Sequence, residues 1–275
     1  AAGVTGCRII DSPRERLIAI ITNNFVPCNG RFPTMLSIIT LFLIGGAGGL
    51  TGSLLGACIL VALIVLGVLM TFLVSRLLSA TILKGVPSSF TLEMPPYRRP
   101  QILKVIVRSI VDRTLKVLGR AVISAAPAGL LIWVLANVPL SGQTTLLTAL
   151  TGFLDPFARR LGMDGCILTG FLLGLPANEI VVPIIIMTYM ARGSLLEVEG
   201  VQLMQLFTAN GWTWITAVST LLFSLMHWPC ATTLLTIRKE SGSLKWTLLS
   251  FLVPTVCGII LCFLFTTAAR FLFPA

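Results

Sequence analysis

Residues 34–75 carry no charged side chain. An apolar run becomes a candidate membrane crossing at ~20 residues, so this one has room for two. The cluster Gly45-Gly46-Ala47-Gly48-Gly49, followed by Gly52, interrupts it. Glycine-rich punctuation of this kind predicts two spans, 34–51 and 54–76, joined by a tight turn. Composition agrees with a lipid environment. Hydrophobic residues make up 56% of the chain and charged ones 11%, with a mean hydropathy of +0.97, whereas soluble domains carry ~25% charged residues.

The net charge of +10 sits between apolar runs, not on a polar domain. That pattern fits loops facing the cytoplasm and anionic headgroups. No basic segment interleaved with aromatics is present, so nucleic acid is not an expected partner. The seven cysteines show no CxxC pairing, which argues against a disulfide framework. Cys58, Cys166, Cys257 and Cys262 read as small packing residues within spans. The opening Ala1-Ala2-Gly3 has no signal-peptide character and reads as the interior of a longer protein. HExxH, P-loop and GxSxG patterns are absent, so no enzyme signature competes.

Four units are expected. Residues 1–82 form a first half with a polar entry, a Pro-Cys segment and two spans. Residues 83–120 form a polar loop and an amphipathic interfacial helix, because Lys104, Arg108, Asp112, Lys116 and Arg120 recur every four residues on one helical face. Residues 121–162 hold a connecting span, with a kink expected at Pro127, and a loop or short surface helix over 139–164. Residues 163–275 form a second half, with a broken segment over 165–190, a short interfacial helix near 201–210, and spans over 212–237 and 246–269. The Lys and Arg distribution puts the entry, the 83–120 segment and the 238–245 turn on the cytoplasmic side. For the topology to close, residues 165–190 must enter and leave on one side as a re-entrant pair.

Three segments place proline beside polar groups at membrane depth: Asn23-Asn24-Phe25-Val26-Pro27-Cys28-Asn29-Gly30, Gly174-Leu175-Pro176-Ala177-Asn178-Glu179, and His227-Trp228-Pro229-Cys230. Proline donates no N–H. In helical register it frees the carbonyls of Asn23, Leu172 and Leu225, and such groups persist in a membrane only when buried in protein or lining a wet cavity. Broken helices of this sort build ion sites in transporters. The two Pro-Cys breaks, each followed by a polar turn and a span, suggest an inverted repeat. Cys28 and Cys230 offer soft ligands, Asn24 and Asn178 offer amides, and Glu179 offers an intramembrane carboxylate whose cost makes function its default reading. Its structural alternative is a pair with Asn178 or a backbone N–H. For His227 a ligand role and a hydrogen-bonding cap are both open. The fold class is therefore an all-α polytopic membrane protein with broken or re-entrant gate helices, and the chemistry is soft-metal passage.

The motifs resemble those of the bacterial ferrous-iron transporter B (FeoB) family. Ile10-Asp11-Ser12-Pro13-Arg14-Glu15-Arg16-Leu17 and Val26-Pro27-Cys28-Asn29-Gly30-Arg31-Phe32-Pro33 are similar to its first gate. Glu93-Met94-Pro95-Pro96-Tyr97-Arg98-Arg99-Pro100 resembles its Pro-Pro-Tyr-Arg loop, and Gly174-Leu175-Pro176-Ala177-Asn178-Glu179 its second gate. The Pro-Cys span at 227–234 and Lys239-Glu240-Ser241-Gly242-Ser243 follow in family order. The family's Gly-Cys-x-x-Pro motif would fall at or before residue 1, and its cysteine is not found here. The resemblance implies Fe(II) transport across the inner membrane, with Cys28 and Cys230 as gate cysteines and Glu179 as gate carboxylate. It implies no cofactor bound in this chain. GTP and Mg would belong to an N-terminal GTP-binding domain, and small cytosolic Feo accessory proteins and a homo-oligomer are further implied partners. Two other readings are a gate-fold transporter of another solute, such as a nucleoside or another divalent cation, and a membrane scaffold that transports nothing.

Overall fold

The computed structural model describes residues 2–44, 49–85, 101–108, 110–111, 115–141, 144–190 and 200–273. The glycine turn at 45–48, the loop at 93–100, Asp112 and the polar segment at 191–199 lie outside the described residues.

The chain opens with a short helix α1 (Ala2–Gly6) and then α2 (Pro13–Thr22). Ser12 caps α2 by accepting from the Glu15 N–H, and Pro13 occupies the first helical position, where its missing N–H costs nothing. Two 3-10 turns, Asn23–Phe25 and Asn29–Arg31, flank Pro27 and lead into α3 (Phe32–Ile38), which continues as a π-helical turn, Ile39–Leu43. The long helix α4 (Leu50–Ala80) follows. The uncharged run is thus one short segment of 12 residues, 7 α-helical and 5 π-helical, and one span of 31 residues. It is not two comparable spans. Pro33 at the start of α3 fixes where the short segment begins.

Helix α5 (Ile102–Arg108) is exposed throughout. Helix α6 (Lys116–Asn137) takes in the last two positions of the expected basic stripe and runs through Pro127 without interruption. A two-residue-deep hairpin, β1 (Pro139–Ser141) with β2 (Thr144–Thr145), leads to α7 (Leu146–Arg160). Residues 146–160 form the surface helix, one of the two expectations for this stretch, with one face packed on the protein and Phe153 and Phe157 exposed on the other. A Cβ on Gly165 would lie 2.1 Å from the Thr151 carbonyl, so only glycine lets the next helix approach.

Helices α8 (Gly165–Leu173) and α9 (Val181–Tyr189) have nine residues each. At 1.5 Å per residue neither reaches half of a ~30 Å hydrocarbon layer. They lie antiparallel against each other: Gly170 faces Ile185, and Gly174 faces Val181. The segment turns back at Pro176 and leaves where it entered, as the re-entrant reading requires. Helix α10 (Gly200–Ala209) follows, with Leu203 and Phe207 buried.

Helix α11 (Trp214–Met226) stops at His227, two residues before Pro229, and the chain resumes as α12 (Ala231–Ser241) and α13 (Leu244–Leu272). Gly242, in the left-handed region at φ +64°, closes α12. Among the described residues three helical stretches are long and apolar enough to cross a membrane: Leu50–Ala80, Trp214–Ser241 across its interruption, and Leu244–Leu272. Only 11% of the α4 window is buried in protein, against 67% for Trp214–Ser241. Helices α11 and α12 therefore form the central post, and α4 turns its Leu, Val and Phe side chains outward to lipid.

Long-range bonds sort the ends of the molecule. Arg8 forks onto Glu240 at 2.5 and 2.7 Å, and Arg14 donates to the Leu83 carbonyl at 2.9 Å. The entry, the end of α4 and the 238–245 turn therefore share one end, the three places where the basic residues gather. At the other end Arg270 donates to the Arg159 carbonyl at 3.0 Å.

Candidate functional site

The three broken segments meet. In each, proline removes an amide donor, so each has acceptors that its own helix cannot satisfy. The structure satisfies them by joining the breaks to one another. Arg31, from the first break, is 2% exposed and reaches the third. Its Nη1 donates to the carbonyls of Leu225 (2.7 Å) and Asn24 (2.9 Å). Its Nη2 donates to the carbonyls of His227 (3.0 Å) and Trp228 (3.3 Å) and to Asn24 Oδ1 (3.2 Å). Asn24 Nδ2 adds a 2.7 Å bond to the His227 carbonyl. The third break in turn serves the second: the Ala231 N–H donates to the Leu175 carbonyl at 2.8 Å. Of the carbonyls expected to be freed, Leu225 is taken by Arg31 and Leu172 by the N–H groups that close the end of α8.

Asn178 completes the triangle from the second break. Its Nδ2 stands 3.8 Å from Cys28 Sγ and its Oδ1 3.4 Å from His227 Nε2. His227 is 1% exposed, and its Nδ1 faces the carbonyls of Ser224 (2.9 Å) and Phe223 (3.2 Å), so Nδ1 carries the proton. Nε2 therefore presents a lone pair to an amide oxygen. That contact is satisfied when the amide turns over, or when a cation lies between the two acceptors. Phe171, Phe223 and Trp228 surround the imidazole with ring centroids at 5.0 to 6.1 Å and keep it in place.

Glu179 sits elsewhere in the same loop. It is exposed and lines a cavity of about 390 Å³ together with Pro33, Thr34, Ser37, Thr40 and residues of α9 and α10. The first break closes against it: a Cβ on Gly30 would meet Glu179 Oε1 at 3.3 Å. Among the described residues no aromatic side chain lines this cavity. Cys230 caps α12 in extended conformation and its sulfur contacts the hydroxyls of Thr232 (3.1 Å) and Thr233 (3.2 Å). Cys28 caps the Asn29–Arg31 turn in the same extended conformation, so the two Pro-Cys breaks share a local geometry.

The structure thus brings Cys28, Asn178 and His227 into one chain of contacts, with Asn24 one layer behind and Glu179 at the adjoining cavity. Cys230 points to its own threonines. Among the described residues no three His, Cys, Asp or Glu side chains are grouped closely enough to hold an ion by themselves. The residue that sequence reasoning passed over is Arg31. Its signal was present: residues 17–30 and 34–75 are uncharged, which leaves Arg31 as a lone cation between two apolar runs.

Comparison with known proteins places these features. The family model described as Ferrous iron transport protein B C terminus matches residues 60–113, and the model of the Gate family, described as Nucleoside recognition, matches residues 118–244. A protein named Fe(2+) transporter FeoB from Staphylococcus aureus is 28% identical over 95% of this chain and 38% of its own length. Proteins of the same name from Methanocaldococcus jannaschii and Campylobacter jejuni are each 25% identical, over 98% and 96% of this chain and 40% and 44% of theirs. The chain spans about two fifths of the length of these curated relatives. No solved structure matches.

Proposed function

We propose that this chain is the C-terminal membrane region of a protein of the ferrous iron transport protein B family, and that it forms the permeation core through which Fe(II) crosses the bacterial inner membrane into the cytoplasm. The observation that carries the reading is the meeting of Cys28, Asn178 and His227 from three separate breaks. A thiol, an amide oxygen and a neutral imidazole are a ligand set of intermediate softness, suited to a first-row divalent ion. Two ligands on a tetrahedral ion with bonds of ~2.1 Å stand ~3.4 Å apart, and Asn178 Oδ1 and His227 Nε2 are separated by 3.4 Å. Few permanent charges face the site, so binding stays weak enough for the ion to leave. Glu179 supplies a negative charge at the adjoining cavity, where it attracts a hydrated cation ahead of the narrower contact. Cys230 acts on the far side of the third break, after the ion has passed His227.

The two halves, 1–82 and 163–275, carry the matching Pro-Cys caps, which supports a repeat. By family membership, GTP and Mg belong to an N-terminal GTP-binding domain of the whole protein, which couples to this core. Small accessory proteins and a homo-oligomer are further expected partners. A nucleoside cargo, suggested by the name of the second family model, fits less well: the described residues around the cavity beside Glu179 offer a carboxylate and hydroxyls but no aromatic ring on which a base could stack.

The test is anaerobic Fe(II) uptake by iron-starved cells carrying the full-length protein. Cys28→Ser, Asn178→Ala, His227→Gln and Glu179→Gln are compared with Cys58→Ser, an exposed position on the lipid side of α4, at matched membrane expression. Uptake should fall by roughly tenfold or more in the first three, as for lost transition-metal ligands, by less in Glu179→Gln, and stay unchanged in Cys58→Ser. Normal uptake in Cys28→Ser and His227→Gln together would remove the site.

A further inference from the structure

Arg31 poses a problem that the metal site does not answer. It is fully buried, yet none of the ion pairs among the described residues includes it. Its charge is held by oxygen dipoles alone: four backbone carbonyls and the Asn24 amide oxygen. Desolvating an arginine without a counter-ion is costly. Capping carbonyls does not require that expense, because a neutral donor such as glutamine would satisfy two of them. The fit is also incomplete, since Nε is buried with no acceptor.

A ring of carbonyls at a helix break, closed around a positive charge, is how discontinuous helices in transporters coordinate cations. Here the cation is tethered. We infer that the carbonyls of Leu225, His227 and Trp228, with Asn24, form a cation-binding cage that the guanidinium of Arg31 occupies at rest and vacates for a permeating ion. Arg31 and Asn24 belong to the first break and the carbonyls of Leu225, His227 and Trp228 to the third, so separating the two breaks draws the plug away from those three carbonyls. The same movement frees the Cys28 contact, because Cys28 and Arg31 are joined across one turn by the Arg31 N–H bond to the Cys28 carbonyl at 3.0 Å. At rest, the buried positive charge beside His227 repels any cation that reaches the thiol. The inference rests on the permease reading but not on the cargo being iron.

The test uses the full-length protein in proteoliposomes, without nucleotide, and reads passive influx of radiolabelled rubidium(I). Rubidium(I) is a hard monovalent cation that suits a neutral oxygen cage and has little affinity for a thiol or an imidazole. Arg31→Gln should raise the leak by about tenfold over wild type, since an arginine in a pore acts as an electrostatic barrier. Millimolar guanidinium chloride should suppress that leak and leave wild type unaffected. Arg31→Lys keeps the charge and should stay within about twofold of wild type. Asn24→Ala loosens the plug without removing it and should leak roughly threefold. A wild-type leak in folded Arg31→Gln or Asn24→Ala overturns the inference, as does a leak that guanidinium does not touch. Failure of both variants to insert and elute like wild type also overturns it, because Arg31 is then only a structural cap. Fe(II) uptake is measured in the same vesicles. An intact leak phenotype with no wild-type Fe(II) uptake sinks the iron reading and leaves the cage. Intact uptake with no leak sinks the cage alone.

Discussion

Gly67 is where the span α4 touches the first break, and it offers a quantitative check on the packing. A Cβ there would lie 2.4 Å from the Phe25 carbonyl oxygen and 3.4 Å from Leu225 Cδ1. An ordinary C···O contact is ~3.3 Å, so Gly67→Ala must displace backbone by roughly 0.9 Å. The displaced backbone leads directly into Pro27 and Cys28, where the 3-10 turns leave little slack. Overpacking of this kind costs ~1–3 kcal/mol, while alanine in place of glycine in a helix interior gains up to ~1 kcal/mol. At Gly129, inside α6, a Cβ would meet nothing within 4 Å, so Gly129→Ala receives the gain alone. The propensity contribution cancels between the two variants and leaves the overpacking cost of ~1–3 kcal/mol. For a chain of 275 residues that separates the melting temperatures by roughly 2–5 °C. The assay is thermal unfolding in detergent, followed by loss of the monodisperse elution peak. Gly67→Ala should also lower Fe(II) uptake, and Gly129→Ala should not. Equal melting temperatures, or a higher one for Gly67→Ala, would refute the close approach of α4 to the first break.

Two carboxylates outside the spans should respond to pH with opposite signs. Burial pushes the Asp164 carboxyl above its ordinary value, although it accepts from Tyr189 and caps α8 at Ile167. Below the ordinary carboxylate pKa its contribution is complete, and it is lost as pH rises through the raised value. Asp164→Asn should therefore flatten the fall in melting temperature as pH rises above the ordinary carboxylate range, and an unchanged profile would count against it. The Glu240 carboxyl is held below its ordinary value by its hydrogen bonds to Arg8. Its contribution is present above the ordinary carboxylate pKa and lost as pH falls through the lowered one, so Arg8→Ala should destabilise the protein at neutral pH but not in acid, and less in high salt. Equal effects at both pH values would show that the Arg8–Glu240 pair does not join the entry to α12.

Local chemistry made the breaks legible. Pro27, Pro176 and Pro229 mark them because a missing N–H and the restricted residue before it can be read from sequence. The long spans α4 and α13 follow from uninterrupted apolar runs. Helix α7 could not be told from a loop because Asp155, Arg159 and Arg160 suit either. Their spacing held the clue, since Asp155 and Arg159 pair at 2.6 Å across one turn. The meeting of the breaks could not be read. Arg31 contacts residues 194 to 197 positions away, and no local period encodes that. Nor does the sequence distinguish Cys28, which meets Asn178, from Cys230, which turns to Thr232 and Thr233, because both follow proline in the same extended cap.

The three breaks form a closed circuit of obligations. The first break donates to the third through Arg31 and Asn24, the third donates to the second through the Ala231 N–H, and the second reaches both others through Asn178. Leu172 and Asn24 are satisfied within their own breaks, but the carbonyls of Leu175, Leu225, His227 and Trp228 take donors from another break, so the breaks cannot separate without orphaning acceptors. In lipid each orphan would cost several kcal/mol. The circuit therefore opens as a unit, and only where water or a cation replaces the donors that leave. Arg31 bonds, at ~1.5–3 kcal/mol each for a charged donor, dominate what must be replaced. On the proposed cage, a cation that enters with its water supplies that replacement. The seam would then both seal the membrane and favour a cation as the solute that opens it.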